Sequence, residues 1–470
     1  MKISFYGGAG TVTGSRFLLE TERTKILIDC GLFQGLKELR LLNWQPAAFA
    51  AASLDAVVLT HAHIDHTGYL PRLVKGGFAG RIYCTRATAE LVPILLRDAA
   101  HLQEEDAEYA NRKGFSKHHP ALPLYTEAEA EKALKHLKAV PLGEELTIGD
   151  FTVRYHDAGH ILGAAFVEVV CNAESPPHRI VFSGDLGRRD DPLHPDPEHL
   201  PVCDTLVMES TYGDRIHPKT PLIEQIRGSF QETFSRRGIV LIPAFAVARA
   251  QMVLLLLARL MADGRLPRVP IHIDSPMAAD VTSLYRRYAG TKRLDVDRSD
   301  LFPPNVSFHR TVEESQRLNN LIGPRIIISS SGMLTGGRVL HHLRRLLPKR
   351  ENLILLVGYQ AAGTRGRSLL MGAETVRMHG MDIPVRARIQ HVDELSAHAD
   401  AHGLLEWALS AQVPPGLVFL VHGEPEASAA LSEQLQERGL RVEVPALNSS
   451  YELSDGKWLG PKLPPPTHRR

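Results

Sequence analysis

Between Leu59 and Gly68 the sequence reads LTHAHIDHTG, which places His61, His63, Asp65 and His66 within six residues. The run just before it, Val57 to Thr60, has the composition of an apolar strand. Two residues apart in extended backbone, His61 and His63 face the same side, and Asp65 and His66 follow as the chain turns toward a helix. Two neutral imidazoles suit one divalent ion, and a carboxylate with a third imidazole can reach a second beside it. That density fits a two-metal site better than a single four-coordinate zinc. The local sequence cannot supply all the ligands such a pair needs, so the fold must bring distant strand ends to this one. Two strand-to-loop units offer candidates. DAGHILGAA carries His160 between Gly159 and Gly163, and VFSGDLG carries Asp185 between Gly184 and Gly187. Glycines let the backbone come close to an ion, and an aspartate between two ions can give one oxygen to each.

The rest of the 470-residue chain is organised around two rhythms. The first 60 residues read as short β-rich runs (KISFYGG, SRFLLETE, KILIDCG, LDAVVLTH) punctuated by glycine. A helix over 70–76, the strand RIYCT and a long helix over 87–111 follow. From Asp204 apolar strands alternate regularly with helices, over 221–236, 248–262, 278–288 and 339–347. This is the pattern of a doubly wound parallel sheet. After about Ile383 the first rhythm resumes, with a helix over 401–408 and the strand GLVFLVHGE. The expected division is 1–205, 206–385 and 386–460, with a Pro-rich tail over 461–470.

No apolar run approaches the 18 or so residues of a membrane span, and MVLLLLARLM, broken by Arg259, reads as a buried helix. The N-terminus lacks the h-region of a signal peptide. The four cysteines are scattered without a CxxC pair, which suits a reducing cytoplasm and argues against a thiolate zinc site. Net charge is +1, but 206–394 carries 27 Lys+Arg against 17 Asp+Glu, a balance of +10, and the remainder has 27 against 36, or −9. A basic segment in an otherwise acidic chain is expected to face a polyanion.

THAHIDHTG, with His160 in GHILG and Asp185 in SGDLG, resembles the metallo-β-lactamase superfamily. Three later motifs, MESTYG with Glu209, LSAHAD with His398 and LVHGEP with His422, resemble the signature motifs of its β-CASP nucleases, as do ISSSGMLTGGR and VGYQAAGTRGRSL. Within that family the likeness is to the pre-mRNA 3′-end-processing endonuclease subunit and its prokaryotic ribonuclease relatives. The resemblance implies an α/β fold: an αββα sandwich with an inserted, doubly wound parallel-sheet β-CASP domain. It implies two Zn2+ ions, with manganese the alternative in an N/O site. His61, His63 and His160 would hold one ion, Asp65, His66 and His422 the other, and Asp185 would bridge. Asp29, in LIDCGLFQG, would orient ligands by hydrogen bonds. A histidine at 422 is typical of RNA-directed members, where DNA-directed ones usually have valine. The chain opens directly on the catalytic fold, so the accessory RNA-binding KH modules of archaeal relatives are not expected.

The chemistry follows from the substrate. A phosphodiester is an anion that resists attack by water, and two dications can bring a bridging water's pKa near neutrality while screening the phosphate. The leaving 3′-oxygen needs a proton; His398 is the natural donor, with Glu209 orienting it and Asp65 completing the catalytic set. Ser331, Gly332 and Arg338, in a loop opening a helix, and Tyr359 and Arg367 are candidate contacts to phosphate. Neither stretch is a Walker P-loop. The basic stretch RVLHHLRRLLPKR reads equally as a solvated face. The expected function is a metal-dependent ribonuclease acting on single-stranded RNA, internally or from the 5′ end, in the cytoplasm, with a second copy of the chain as a candidate partner. The alternatives are a small-molecule ester or thioester hydrolase, a DNA nuclease and a non-catalytic RNA-binding scaffold.

Overall fold

The computed structural model describes residues 1–462, apart from 115, 117, 218–219, 292–293, 298–300, 302, 359, 362, 393–394 and 455–456. The chain forms two compact units. The first comprises 1–190, 196–216 and 398–470, and the second 191–195 and 217–397.

The first unit holds two sheets. One has eight strands, in the order Lys457–Lys462, Ser449–Ser454, Lys2–Gly7, Arg16–Glu20, Lys25–Ile28, Ala56–Val58, Arg81–Thr85, Leu137–Val140. The other has seven: Val442–Glu443, Leu417–Val421, Thr205–Glu209, His178–Phe182, Ala165–Cys171, Phe151–Asp157, Glu145–Ile148. Their facing residues form one core. Ile3, Phe5, Phe17, Ile28 and Val58 from the first sheet meet Phe151, Tyr155, Val167, Phe182, Val207 and Phe419 from the second. Phe419 sits 5.0 Å from Phe5 and 4.7 Å from Tyr451 between ring centroids, in tilted and edge-on geometry. Helices lie against the sheets, Arg86–Lys113 on the strands Arg81–Thr85 and Leu137–Val140, and Pro425–Glu437 on Leu417–Val421. This is the sandwich the motifs imply.

The second unit is a six-stranded parallel sheet ordered Val306–His309, Ile271–Asp274, Arg325–Ser329, Ile239–Pro243, Leu353–Val357, Arg388–Val392. The helices Leu222–Ser235, Arg249–Ala262, Pro276–Tyr288 and Val339–Leu346 match the expected ones to within two residues. Met252 to Met261 is a buried helix, as its composition demands, and no described helix is long and apolar enough to cross a membrane.

The joins between units fall at 216/217 and 397/398, whereas the expected ones were 205/206 and 385/386. Thr205–Glu209 pairs parallel with Leu417–Val421 inside the first unit, and Arg388–Val392 pairs with Leu353–Val357 inside the second. An apolar strand looks the same in sequence whichever sheet takes it, and pairing decides. Residues 461–462, expected in a tail, end a strand that pairs with Ser449–Ser454; 463–470 lie outside the described residues.

The longest helix, Arg86–Lys113, starts under a Thr85 hydroxyl that accepts the Thr88 N–H and ends at Gly114, at φ +65°. Asp98 on this helix is partly buried, and burial pushes its carboxyl up to about 6. The folded state therefore binds the proton more tightly than the unfolded chain, so stability falls as pH rises from about 4 to about 6, and the full cost is present above that. Asp98→Asn should stabilise the protein at pH 8 by roughly 1–2 kcal/mol, after discounting for partial exposure, and by much less near pH 3, below the unfolded carboxyl's own pKa. Urea unfolding at the two pH values checks this.

Candidate metal centre

The apolar strand Ala56–Val58 ends at the histidine cluster, and the short helix Ile64–Thr67 follows it. The cluster is fixed from below by Asp29, which is fully buried at φ +58° just after the strand Lys25–Ile28. Its Oδ1 accepts the Thr60 N–H at 2.8 Å, and its Oδ2 accepts the Thr60 hydroxyl at 2.8 Å and lies 2.7 Å from His66 Nδ1. These bonds settle the tautomers. The Thr60 hydroxyl gives its only proton to Asp29, so His61 Nδ1, 3.0 Å away, must donate to Thr60 Oγ1. His66 Nδ1 likewise donates to Asp29. His61 then turns an Nε2 lone pair toward the interior of the site, and His66 turns its Nε2 the same way, its pKa raised by the Asp185 and Asp29 carboxylates, which outweigh burial.

The distant strand ends arrive where the sequence required them. His160 follows the strand Phe151–Asp157, Asp185 follows His178–Phe182, and His422 follows Leu417–Val421 at φ +47°. Two of the flanking glycines are needed for this approach. Gly184, at φ +53°, packs so tightly that a Cβ there would lie 2.6 Å from Thr60 Cβ, and one at Gly187 would lie 2.1 Å from the Gly159 carbonyl oxygen.

Asp185 is the centre of the arrangement. Its Oδ2 lies 3.4 Å from His61 Nε2 and 3.5 Å from His160 Nε2, and His63 Nδ1 closes that group at 3.0 Å from His61 Nε2 and 3.4 Å from His160 Nε2. Its Oδ1 lies 3.3 Å from His66 Nε2 and 3.4 Å from His422 Nδ1. His422 Nε2 in turn is 3.3 Å from His66 Nε2 and 3.4 Å from Asp65 Oδ2. Three donor groups result, His61–His63–His160–Asp185, Asp65–His66–His422 and, beside them, Asp185–Glu209–His398. Asp185 Oδ2 faces the first group and Oδ1 the second.

Electrostatics agree with a cation site. Burial, and then the charge of neighbouring imidazoles, pushes His63 down to about 3 and lowers His61 and His160, so all three present neutral nitrogens. Burial opposes ionisation of Asp185, but the surrounding imidazoles outweigh it and hold the carboxyl well below its ordinary range. Asp185 Oδ1 is buried with no hydrogen-bond partner among the described residues. A buried carboxylate oxygen left without a donor is expensive, and a divalent ion satisfies it. The residues therefore fit a metal of the kind N/O sites hold.

His398 stands beside this group. Its Nδ1 is 3.1 and 3.2 Å from the two Glu209 oxygens, and its Nε2 is directed to Asp185 Oδ2 at 3.9 Å. Glu209 is fully buried and accepts the Leu186 N–H at 2.6 Å. Burial works against charge on His398, but the Glu209 and Asp185 carboxylates outweigh it and raise its pKa above the ordinary value.

All seven expected ligand residues, with Asp29, Glu209 and His398, thus lie together in the first unit. Sequence reasoning missed Thr60 and Thr211. Thr211 sits 3.2 Å from His422 Nδ1 and donates to the His422 carbonyl at 3.0 Å. Both are adjacent in sequence to residues already singled out, Thr60 to His61 and Thr211 in MESTYG, and that adjacency was the available signal.

The expected phosphate contacts lie in the second unit. The Ser331 hydroxyl accepts the Thr335 N–H at 3.0 Å, and Gly332 packs where a Cβ would lie 2.9 Å from Phe245 N. Arg367 is exposed, and its backbone N–H caps on Thr364. Tyr359 lies outside the described residues. Arg338 departs from its expected role: it donates to Asp274 Oδ1 at 2.9 Å, to the His309 carbonyl at 3.2 Å and to the Arg310 carbonyl at 2.7 Å. Its guanidinium is engaged in holding the loop in place.

Three family descriptions match the chain: the metallo-β-lactamase superfamily over 9–215, the β-CASP domain over 250–369, and the Zn-dependent metallo-hydrolase RNA specificity domain over 382–445. A ribonuclease of Thermus thermophilus, TTHA0252, is 38% identical over 94% of this chain and 98% of its own length. The chain belongs to the β-CASP family of the metallo-β-lactamase superfamily. The transcription termination factor FttA of Methanosarcina mazei is 31% identical over 96% of this chain and 71% of that protein. A crystal structure of an Enterococcus faecalis protein of unknown function shares the fold, with a TM-score of 0.52 at 14% identity, covering 96% of this chain and 99% of that one.

The metallo-β-lactamase part of the chain thus places a carboxylate, Asp29, behind two imidazoles that it orients. Asp29→Asn should weaken retention of divalent metal roughly 10- to 100-fold. Metal content after equilibration against a graded chelator series measures this; unchanged retention would mean that Asp29 does not orient the ligands.

Proposed function

We propose that this protein is a zinc-dependent ribonuclease that hydrolyses phosphodiester bonds of single-stranded RNA in the cytoplasm. The observation that carries the reading is the position of Asp185, one oxygen toward each of two donor groups, with His398 and Glu209 alongside. His61, His63 and His160 would hold one ion and Asp65, His66 and His422 the other, with Asp185 shared. Ions held there would supply Lewis-acid activation of water and screen the charge of the phosphate.

The chain's own groups do the rest. His398 gives its Nε2 proton to the leaving 3′-oxygen, and Glu209 holds the ring by its Nδ1. Asp65 and Asp185 offset the charge of two cations lying close together. Ser331, Gly332, Tyr359 and Arg367 would contact the RNA backbone, and the balance of +10 over 206–394 would draw it in from solution. A small-molecule esterase needs neither the inserted sheet nor the His398–Glu209 pair. The similarity to a named ribonuclease supports RNA as substrate over DNA.

The test uses purified protein with end-labelled single-stranded RNA, single-stranded DNA and a chromogenic ester, with and without a zinc chelator. RNA should be cleaved, chelator should stop it, and the product ladder reads internal cutting or 5′-exonucleolysis. His398→Ala should slow cleavage by about 10²- to 10⁴-fold while two metals per chain remain. Ester turnover with intact RNA would overturn the reading, and loss of metal from the variant would make His398 a ligand.

A further inference from the structure

The second unit contains a cavity of about 170 Å3. Arg325 and Ile239, the first residues of their strands, line it, as does Asn352, just before the strand Leu353–Val357. It therefore lies at the N-terminal ends of the parallel strands, opposite the Ser329–Gly337 loop that leaves the C-terminal end of Arg325–Ser329. Ligands of open parallel sheets ordinarily sit at the C-terminal ends, and the proposed RNA chemistry makes no use of this one.

Four cations line the cavity, Arg237, Arg325, Arg345 and Lys349, against one carboxylate, Glu351. Among the described residues none of the four makes an ion pair. Arg345 donates only to a backbone carbonyl, that of Asn319, at 3.0 Å. Arg325 is 6% exposed; its terminal nitrogens donate to the carbonyls of Gly323 and Leu318 at 2.8 and 3.2 Å, and its Nε is buried with no partner. Burial and the neighbouring Arg345 both disfavour its charge. Like charges gathered round a hollow leave room for a counter-anion. At about 30 Å3 for each water, the space corresponds to roughly five waters, enough for two linked phosphoryl groups. Guanidinium forks match phosphate oxygens in geometry as well as charge.

We propose that this cavity binds a small phosphorylated ligand, seating a diphosphate group among the cations of Arg237, Arg345 and Lys349. The proposal is independent of the ribonuclease reading. Its test is calorimetric titration of the metal-loaded, full-length protein with inorganic pyrophosphate at low salt, repeated with the Arg237→Ala/Lys349→Ala double variant. Both positions are exposed, so the variant should fold, and an unchanged melting temperature verifies that. Pyrophosphate also has affinity for metal ions, so the readout is the difference. The wild type should bind one more equivalent per chain than the variant, or bind that equivalent at least tenfold more tightly. Parallel arms with inorganic phosphate and adenosine diphosphate distinguish a bare anion from a nucleotide, and binding of either at the variant-sensitive site supports the proposal. Equal stoichiometry and affinity in the two proteins would overturn it. So would a variant that loses affinity for single-stranded RNA but no pyrophosphate, which would make this surface part of the RNA path.

Discussion

A carboxylate buried out of reach of water, with one oxygen lacking any hydrogen-bond donor among the described residues, is the condition on which the first unit's architecture turns. Asp185 cannot hold its charge there unaided. The fold surrounds it with imidazoles from four separate chain segments, and those imidazoles are themselves crowded, nitrogen against nitrogen, at distances of 3.0–3.4 Å. Neither the acid nor the bases are comfortable alone. Divalent cations relieve both at once, because they accept lone pairs from the rings and neutralise the carboxylate. The site is best understood as a cavity whose internal electrostatics call for metal.

The sandwich makes such crowding affordable. Its two sheets bury a continuous apolar core, and the strands that carry ligands end at one edge of it. Asp29 translates that rigidity into chemistry. One carboxylate, anchored by the Thr60 backbone and hydroxyl, fixes the orientation of His61 through Thr60 and of His66 directly. Glu209 plays the same part for His398 at the end of a fully buried central strand. In each case a buried acid sets which nitrogen of a histidine points into the donor cluster.

Much of this was legible in the chain because metal binding imposes residue types and spacings that little else explains. The density of HAHIDH directly after an apolar strand marked the nucleus, and the glycines around His160 and Asp185 marked two more strand ends. His422, His398 and Glu209 were less open to derivation from spacing; their assignment leaned on motif resemblance. The hydroxyls of Thr60 and Thr211 carried no distinctive pattern, since a threonine beside a strand end is ordinary. Arg338 looked like a phosphate contact because its partner, Asp274, lies 64 residues away in sequence. The unit boundaries slipped for a similar reason: Thr205–Glu209 and Arg388–Val392 are apolar or mixed strands whose sheet is chosen by long-range pairing.

The central claim is that Asp185 is shared between two metal ions. Crystals grown with zinc, with anomalous data collected on both sides of the zinc absorption edge, test it directly. The account predicts two peaks roughly 3.5–4 Å apart, one beside His61, His63 and His160, the other beside Asp65, His66 and His422, with Asp185 between them. A single peak, or a pair of peaks that leaves Asp185 or His422 without contact, would contradict it.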